Sequence, residues 1–197
     1  MTMTPGQTPS QTVGPFFAYG LTAEQYGYPF NSLFPPRIAE PRAAGEHIRI
    51  TGRLFDGDGK TIPDAMVEIA HVDADGNPVT SREAAVASGF RGFGRCGTGT
   101  SADQSFEFHT IKPGVAAPGS APHVNVIVTM RGLLVHAFTR LYFEDEAAAN
   151  AADPVLDSVP VERRATLIAK RIALPEGVEY RLDIQMQGPD ETVFFDL

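Results

Sequence analysis

The chain has 197 residues, 43% of them apolar and 20% charged, with 24 acidic against 16 basic side chains. A formal charge of −8 repels a phosphate backbone and weighs against a nucleic-acid partner. The single cysteine, Cys96, excludes an internal disulfide and a cysteine-based zinc site, and no apolar run reaches the roughly 18 residues of a membrane span.

Residues 1–46 read as an extended arm. Prolines in PGQTPSQTVGPFF, YGYPF and LFPPR remove backbone donors and fix φ, so no long helix is expected there. The first ten residues carry neither the basic nor the apolar region of a signal peptide, and a cytoplasmic protein is expected. Phe16, Phe17, Tyr19, Tyr26, Tyr28, Phe30 and Phe34 fall close together. Such an apolar load calls for burial, against the chain's own domain or a partner chain.

From His47 the pattern turns to period two. His47–Phe55 sets Ile48, Ile50 and Leu54 on one face and His47, Arg49 and Arg53 on the other. Asp56-Gly57-Asp58-Gly59 reads as a turn; Lys60 falls where a calcium loop needs an oxygen ligand. A strand follows over Ala65–Val72, and a helical turn over Ser81–Ala87. The run GFRGFGRCGTGT (89–100), rich in glycine, predicts a long irregular loop. Phe106–Thr110 is a short strand; His123–Met130 and Leu134–Phe143 form a strong pair joined by Arg131-Gly132. Glu144–Ala152 has the acidic first turn and the alanines of a helix, stopped by Pro154. Val161–Ala169 suits a second short helix. Val178–Gln187 is the last clear strand, with Tyr180, Leu182, Ile184 and Met186 inward, and Thr192–Phe195 adds an edge or docking segment. Strands at irregular spacing without β–α alternation predict an all-β fold. The expectation is an antiparallel β-sandwich over 47–197 with one or two short helices, preceded by the arm of 1–46.

Candidate chemistry gathers on the strand from His123. Alternation sets His123, Asn125, Ile127, Thr129 and Arg131 on one face and Val124, Val126, Val128 and Met130 on the core face. A His-x-His metal clip needs an imidazole where Asn125 stands, and the neutral carbonyl of an amide is a weak substitute. On the residues alone His123 is a hydrogen-bonded structural histidine. No nucleophile elbow or phosphate-binding glycine loop is present.

Several runs together resemble the intradiol ring-cleavage dioxygenases: TPSQTVGPFF (8–17), GRLFDGDGKTIPDAMVEI (52–69), GFRGFGRCGT (89–98), FEFHTIKPG (106–114), APHVNV (121–126), MRGLLVHAFTRLYFEDEAAANAADPVL (130–156), ERRATLIAKR (162–171) and YRLDIQMQGPDETVFFDL (180–197). The resemblance runs in order through nearly the whole chain. It implies a β-sandwich of the intradiol type and a non-haem Fe(III) held by two tyrosinates and two histidines. His123 stands at the first histidine position, but Asn125 stands at the second. Residues 115–118, Val-Ala-Ala-Pro, lack the expected tyrosine, and Arg82 falls near the place of the other. The resemblance therefore implies a chain without its own metal: an alpha subunit whose related beta subunit carries Fe(III), in a higher-order alpha–beta assembly that cleaves 3,4-dihydroxybenzoate (protocatechuate) with O2. By motif position Thr12, Pro15 and Arg131 would face substrate at the mouth of the beta site, with no catalytic residue here, and His123, Asn125 and Arg82 would line a vestigial pocket. A guanidinium suits the carboxylate of protocatechuate, although Arg131 at a hairpin end equally suits a cap or a salt bridge. A purely structural subunit, a small-molecule binding module, and a self-sufficient dioxygenase with an unusual ligand set stand as alternatives.

Overall fold

Residues 15–196 are described by the computed structural model. Within them nine strands run β1 (His47–Phe55), β2 (Met66–Ala70), β3 (Phe93–Gly97), β4 (Ser105–Ile111), β5 (His123–Thr129), β6 (Ala137–Phe143), β7 (Ile168–Leu174), β8 (Gly177–Arg181) and β9 (Ile184–Gln185). The order β3-β2-β5-β6-β7-β8-β1-β4 divides at β7. Ile168 and Ala169 of β7 pair with β6, while Lys170–Leu174 pair with β8. One strand thus carries the chain from the β3-β2-β5-β6 layer to the β8-β1-β4 layer. Alternation supplies the facing sides: Ile48, Ile50, Leu54, Phe106 and Phe108 from one layer meet Val67, Ile69, Val124, Val126, Val128 and Leu141 from the other, all buried in one cluster.

The sandwich is mixed where an antiparallel one was expected. Parallel pairs join β1 to β8, β1 to β9, and β6 to β7. Parallel entry needs a crossover too long for a hairpin, and residues 144–167 supply it. They contain a 3-10 turn (Glu144–Glu146), α3 (Ala147–Ala152), α4 (Pro154–Asp157) and a second 3-10 turn (Arg164–Leu167), the earlier helices being α1 (Pro15–Leu21) and α2 (Arg82–Ser88). Pro154 opens α4 as well as following α3, because the missing N–H of proline is harmless at a first helical position. The helix expected over Val161–Ala169 is a single 3-10 turn, and its last residues already belong to β7.

A second correction concerns the glycine-rich run. Phe93–Gly97 is the edge strand β3, paired with β2 from Met66↔Gly97 to Ala70↔Phe93. The glycines leave room for the arm, which passes over this edge. A Cβ on Gly94 would crowd Ile38 and Pro35, and one on Gly97 would meet the Tyr26 ring. Backbone bonds tie the arm down, with Arg91 N–H donating to Ile38 O at 3.0 Å and Arg95 N–H to Phe34 O at 3.1 Å.

Gln25 completes the edge with its side chain. Its Oε1 accepts from Gly97 N–H at 2.8 Å, and its Nε2 donates to Gly97 O at 2.7 Å and Thr100 Oγ1 at 2.6 Å. The amide therefore stands in for a neighbouring strand and blunts the edge. Replacing Gln25 with Ala leaves Gly97 N–H without a partner and Gly97 O with only the Cys96 thiol, and is expected to cost about 1 kcal/mol. Thermal melting should fall by about 2–4 °C at this chain length; an unchanged transition would mean the arm is not held through this amide.

Candidate functional site

β5 begins at His123, and the residues around that end converge on a cavity of about 300 Å³. Its walls include His71, His123, Asn125, Phe93, Val79 and Arg91. The register explains the meeting: Asn125 lies opposite Ala70 of β2 and Arg140 of β6, and Phe93 of β3 lies opposite the same Ala70. The cavity is thus built on the outward face of the β3-β2-β5 layer, opposite the valines that form the core.

Both imidazoles are held neutral. His71 Nδ1 donates to Val72 O at 2.7 Å, leaving Nε2 to accept from the Thr110 hydroxyl at 2.8 Å. Burial pushes its pKa down to about 4, against a smaller opposing effect of the Val72 carbonyl. His123 Nδ1 donates to Ala121 O at 2.9 Å, and the ring lies 5.8 Å from that of Tyr142. Burial lowers its pKa as well, helped by the positive charge of Arg140 and opposed by the Ala121 carbonyl. Asn125 Oδ1 is enclosed and meets no donor among the described residues.

Asp153 anchors the segment that leads into His123. Its buried carboxylate accepts from Ala121 N–H at 2.8 Å, Leu156 N–H at 2.8 Å, Val155 N–H at 3.0 Å and the Tyr142 hydroxyl at 3.1 Å. One side chain thereby caps α4 and fixes the residue whose carbonyl holds His123.

The remaining expected residues lie elsewhere. Arg82 is the first residue of α2 and lines, with Leu33, Phe34 and Ser81, a groove that adjoins the cavity of His123 and Asn125 through Val79 and Arg91. Its place is set locally, because Ser81 Oγ accepts from Ala84 N–H and starts the helix. Arg131 follows β5 at its far end, roughly 25 Å along the strand from His123. There its Nε lies 2.8 Å from Oδ2 of Asp64, while the Arg131 side chain stays 66% exposed. Gly99 sits between Pro63 O, next to Asp64, and the Tyr26 hydroxyl, so this ion pair and the arm share one end of the sandwich. Pro15 opens α1, and Thr12 lies outside the described residues.

Three residues of this region were missed from the sequence. His71 ends an apolar strand and Arg91 sits among glycines, so neither had a spacing that pointed to β5. Asp64 follows Pro63 in a turn, and only the fold brings it to Arg131.

Iron-dependent chemistry of the resembled family can be tested against this donor set. Fe(III) is a hard trivalent ion that calls for anionic oxygen ligands. The cavity offers one uncommitted imidazole nitrogen and one neutral amide, with His71 engaged at both nitrogens and a guanidinium on the wall. Among the described residues no group of three or more His, Cys, Asp or Glu is placed to hold a metal. These residues do not fit ferric iron.

No helix among the described residues is long and apolar enough to cross a membrane. A family model described as "Dioxygenase" matches residues 35–188. The chain is 62% identical over 192 residues to a protocatechuate 3,4-dioxygenase alpha chain from Burkholderia cepacia, covering 97% of this chain and 98% of that one. It is 42% identical to the alpha chain from Pseudomonas putida, covering 96% of each, and 29% identical to a beta chain from Burkholderia cepacia, covering 86% of this chain and 77% of that one. An intradiol ring-cleavage dioxygenase from Tetranychus urticae superposes with a TM-score of 0.55 at 19% identity, covering 79% of this chain and 87% of that one. The chain belongs to the intradiol dioxygenase family, on the branch of the protocatechuate 3,4-dioxygenase alpha chains.

Proposed function

We propose that this chain is the iron-free half of an alpha–beta complex that opens the ring of 3,4-dihydroxybenzoate between its hydroxylated carbons. O2 is consumed, both its atoms enter 3-carboxy-cis,cis-muconate, and Fe(III) resides in the beta partner. The observation that carries this reading is the pairing of near full-length identity to alpha chains with a cavity whose donors do not suit Fe(III). This chain supplies no bond-making group. It contributes scaffold, and Arg131 offers a guanidinium to the substrate carboxylate at the mouth of the partner's site, beside Thr12 and Pro15 of the arm.

The arm is the partner-facing element of this reading, and 47–197 the sandwich that carries it. Its inner side is spent on β3, through Gln25, Tyr26 and Ile38. Phe17, Tyr28, Phe30 and Leu33 remain exposed, an apolar surface that a subunit interface would cover. Higher-order packing of alpha–beta units and a cytoplasmic setting complete the proposal.

Iron per chain and visible absorption, measured for this chain alone and co-expressed with a beta chain, test it. The lone chain should be colourless and free of iron, and the complex coloured and active on protocatechuate. A coloured lone chain with about one iron would overturn the assignment, since tyrosinate-to-iron charge transfer requires ligands that the cavity does not provide.

A further inference from the structure

The cavity at the start of β5 encloses a polar atom that the fold leaves unsatisfied, and its surroundings specify a ligand. Asn125 Oδ1 is enclosed without a donor, and nothing among the described residues engages its Nδ2. An enclosed acceptor without a donor is costly, and a group lining a cavity is satisfied by what enters it. His123 adds an acceptor, because its Nδ1–H is committed to Ala121 O and its Nε2 is left over. Phe93 and Val79 give an aromatic and an aliphatic wall, and the Arg91 guanidinium, exposed and in no ion pair among the described residues, stands on the rim.

We propose that this cavity is a non-catalytic binding site for a small phenol bearing a carboxylate, with its hydroxyl on Asn125 and its carboxylate on Arg91. A phenol hydroxyl both donates and accepts, so it serves either end of the amide and also reaches an imidazole acceptor. The carboxylate forms a charge-assisted pair with the guanidinium. A cavity of about 300 Å³ is at the small end of ligand sites and suits a single ring. A dicarboxylate or a hydrocarbon would leave the enclosed amide oxygen without a donor, so both are disfavoured. The site belongs to this chain and does not depend on where the iron of the complex resides.

The test is equilibrium dialysis of labelled 4-hydroxybenzoate against the intact alpha–beta complex without O2, with the visible spectrum followed in parallel. Two classes of site per alpha–beta pair are expected, one that perturbs the iron absorption and one that is spectrally silent. Asn125→Val and Arg91→Ala should each weaken the silent class by about tenfold and leave the iron-linked class unmoved. Absence of a silent class in the wild-type complex, or a silent class unchanged in either variant, overturns the proposal. Absence of the iron-linked class alone would instead count against iron in the partner, and the silent site would stand.

Discussion

Asp153→Ala is expected to lower the stability of the chain by about 3 kcal/mol, and its melting temperature by about 6–12 °C. The carboxylate is fully buried and accepts four hydrogen bonds, three of them from backbone N–H groups. Alanine leaves the N–H groups of Ala121 and Leu156 enclosed without partners, each at a cost of about 1 kcal/mol or more. It also removes the cap of α4 and frees the segment that positions His123. Asp153→Asn keeps an acceptor and should lose less. Acid separates the two variants. Burial by itself raises the Asp153 pKa, but the N–H groups of Leu156 and Ala121 and the Tyr142 hydroxyl outweigh it, so the carboxyl titrates below its ordinary value. Its contribution is therefore present above about pH 4, the unfolded value, and is lost as pH falls through the lower folded value. Melting followed from pH 7 downward should show a shallower acid limb in Asp153→Asn than in the parent chain. A transition in Asp153→Ala within about 1 °C of the parent would show that the anchor is dispensable.

Asp153 also illustrates what a linear pattern carries. The pattern showed Pro154 only as the stop of the preceding helix, although a proline after an aspartate also suits a helix start. The bonds of Asp153 to Ala121 and Tyr142 were not readable, because they join segments separated by the crossover. The same division holds for the strands. Period two placed β1 and β5 with their inward residues, since alternation is a local property of a half-buried strand. β3 escaped because its glycines are set by the arm lying over the edge, a tertiary cause that reads locally as a loop. Parallel pairing escaped for a related reason: strand direction is decided by the length and path of a crossover, and no residue within β7 records it. At the site, His123 and Asn125 were legible as neighbours on one face of a strand. Arg82 was aligned with them across gapped loops, and the structure sets it at the start of α2, on a groove next to theirs.

The substrate role of Arg131 leads to a functional prediction. In the complex, Arg131→Ala should raise KM for protocatechuate about tenfold while leaving kcat and iron content nearly unchanged. The reasoning rests on chemistry and exposure. The guanidinium gives one edge to Asp64 through Nε, and two thirds of the side chain stays open to solvent, so its remaining N–H groups can take a carboxylate. Contact with a part of the substrate remote from the reacting carbons is felt equally in the ground and transition states, which moves KM and spares kcat. The competing role is structural, with Arg131 serving only to neutralise Asp64, whose side chain is 12% exposed. Two comparisons separate them. Asp64→Asn removes the ion pair and keeps the arginine: a structural role predicts the same defect as Arg131→Ala, whereas a substrate role predicts an unchanged or lower KM. Catechol, which lacks the carboxylate, should be handled alike by parent and Arg131→Ala complexes, so the preference for protocatechuate over catechol falls by about the same tenfold. Equal losses on both substrates would assign Arg131 to the scaffold, and the substrate carboxylate would then be held by the partner alone.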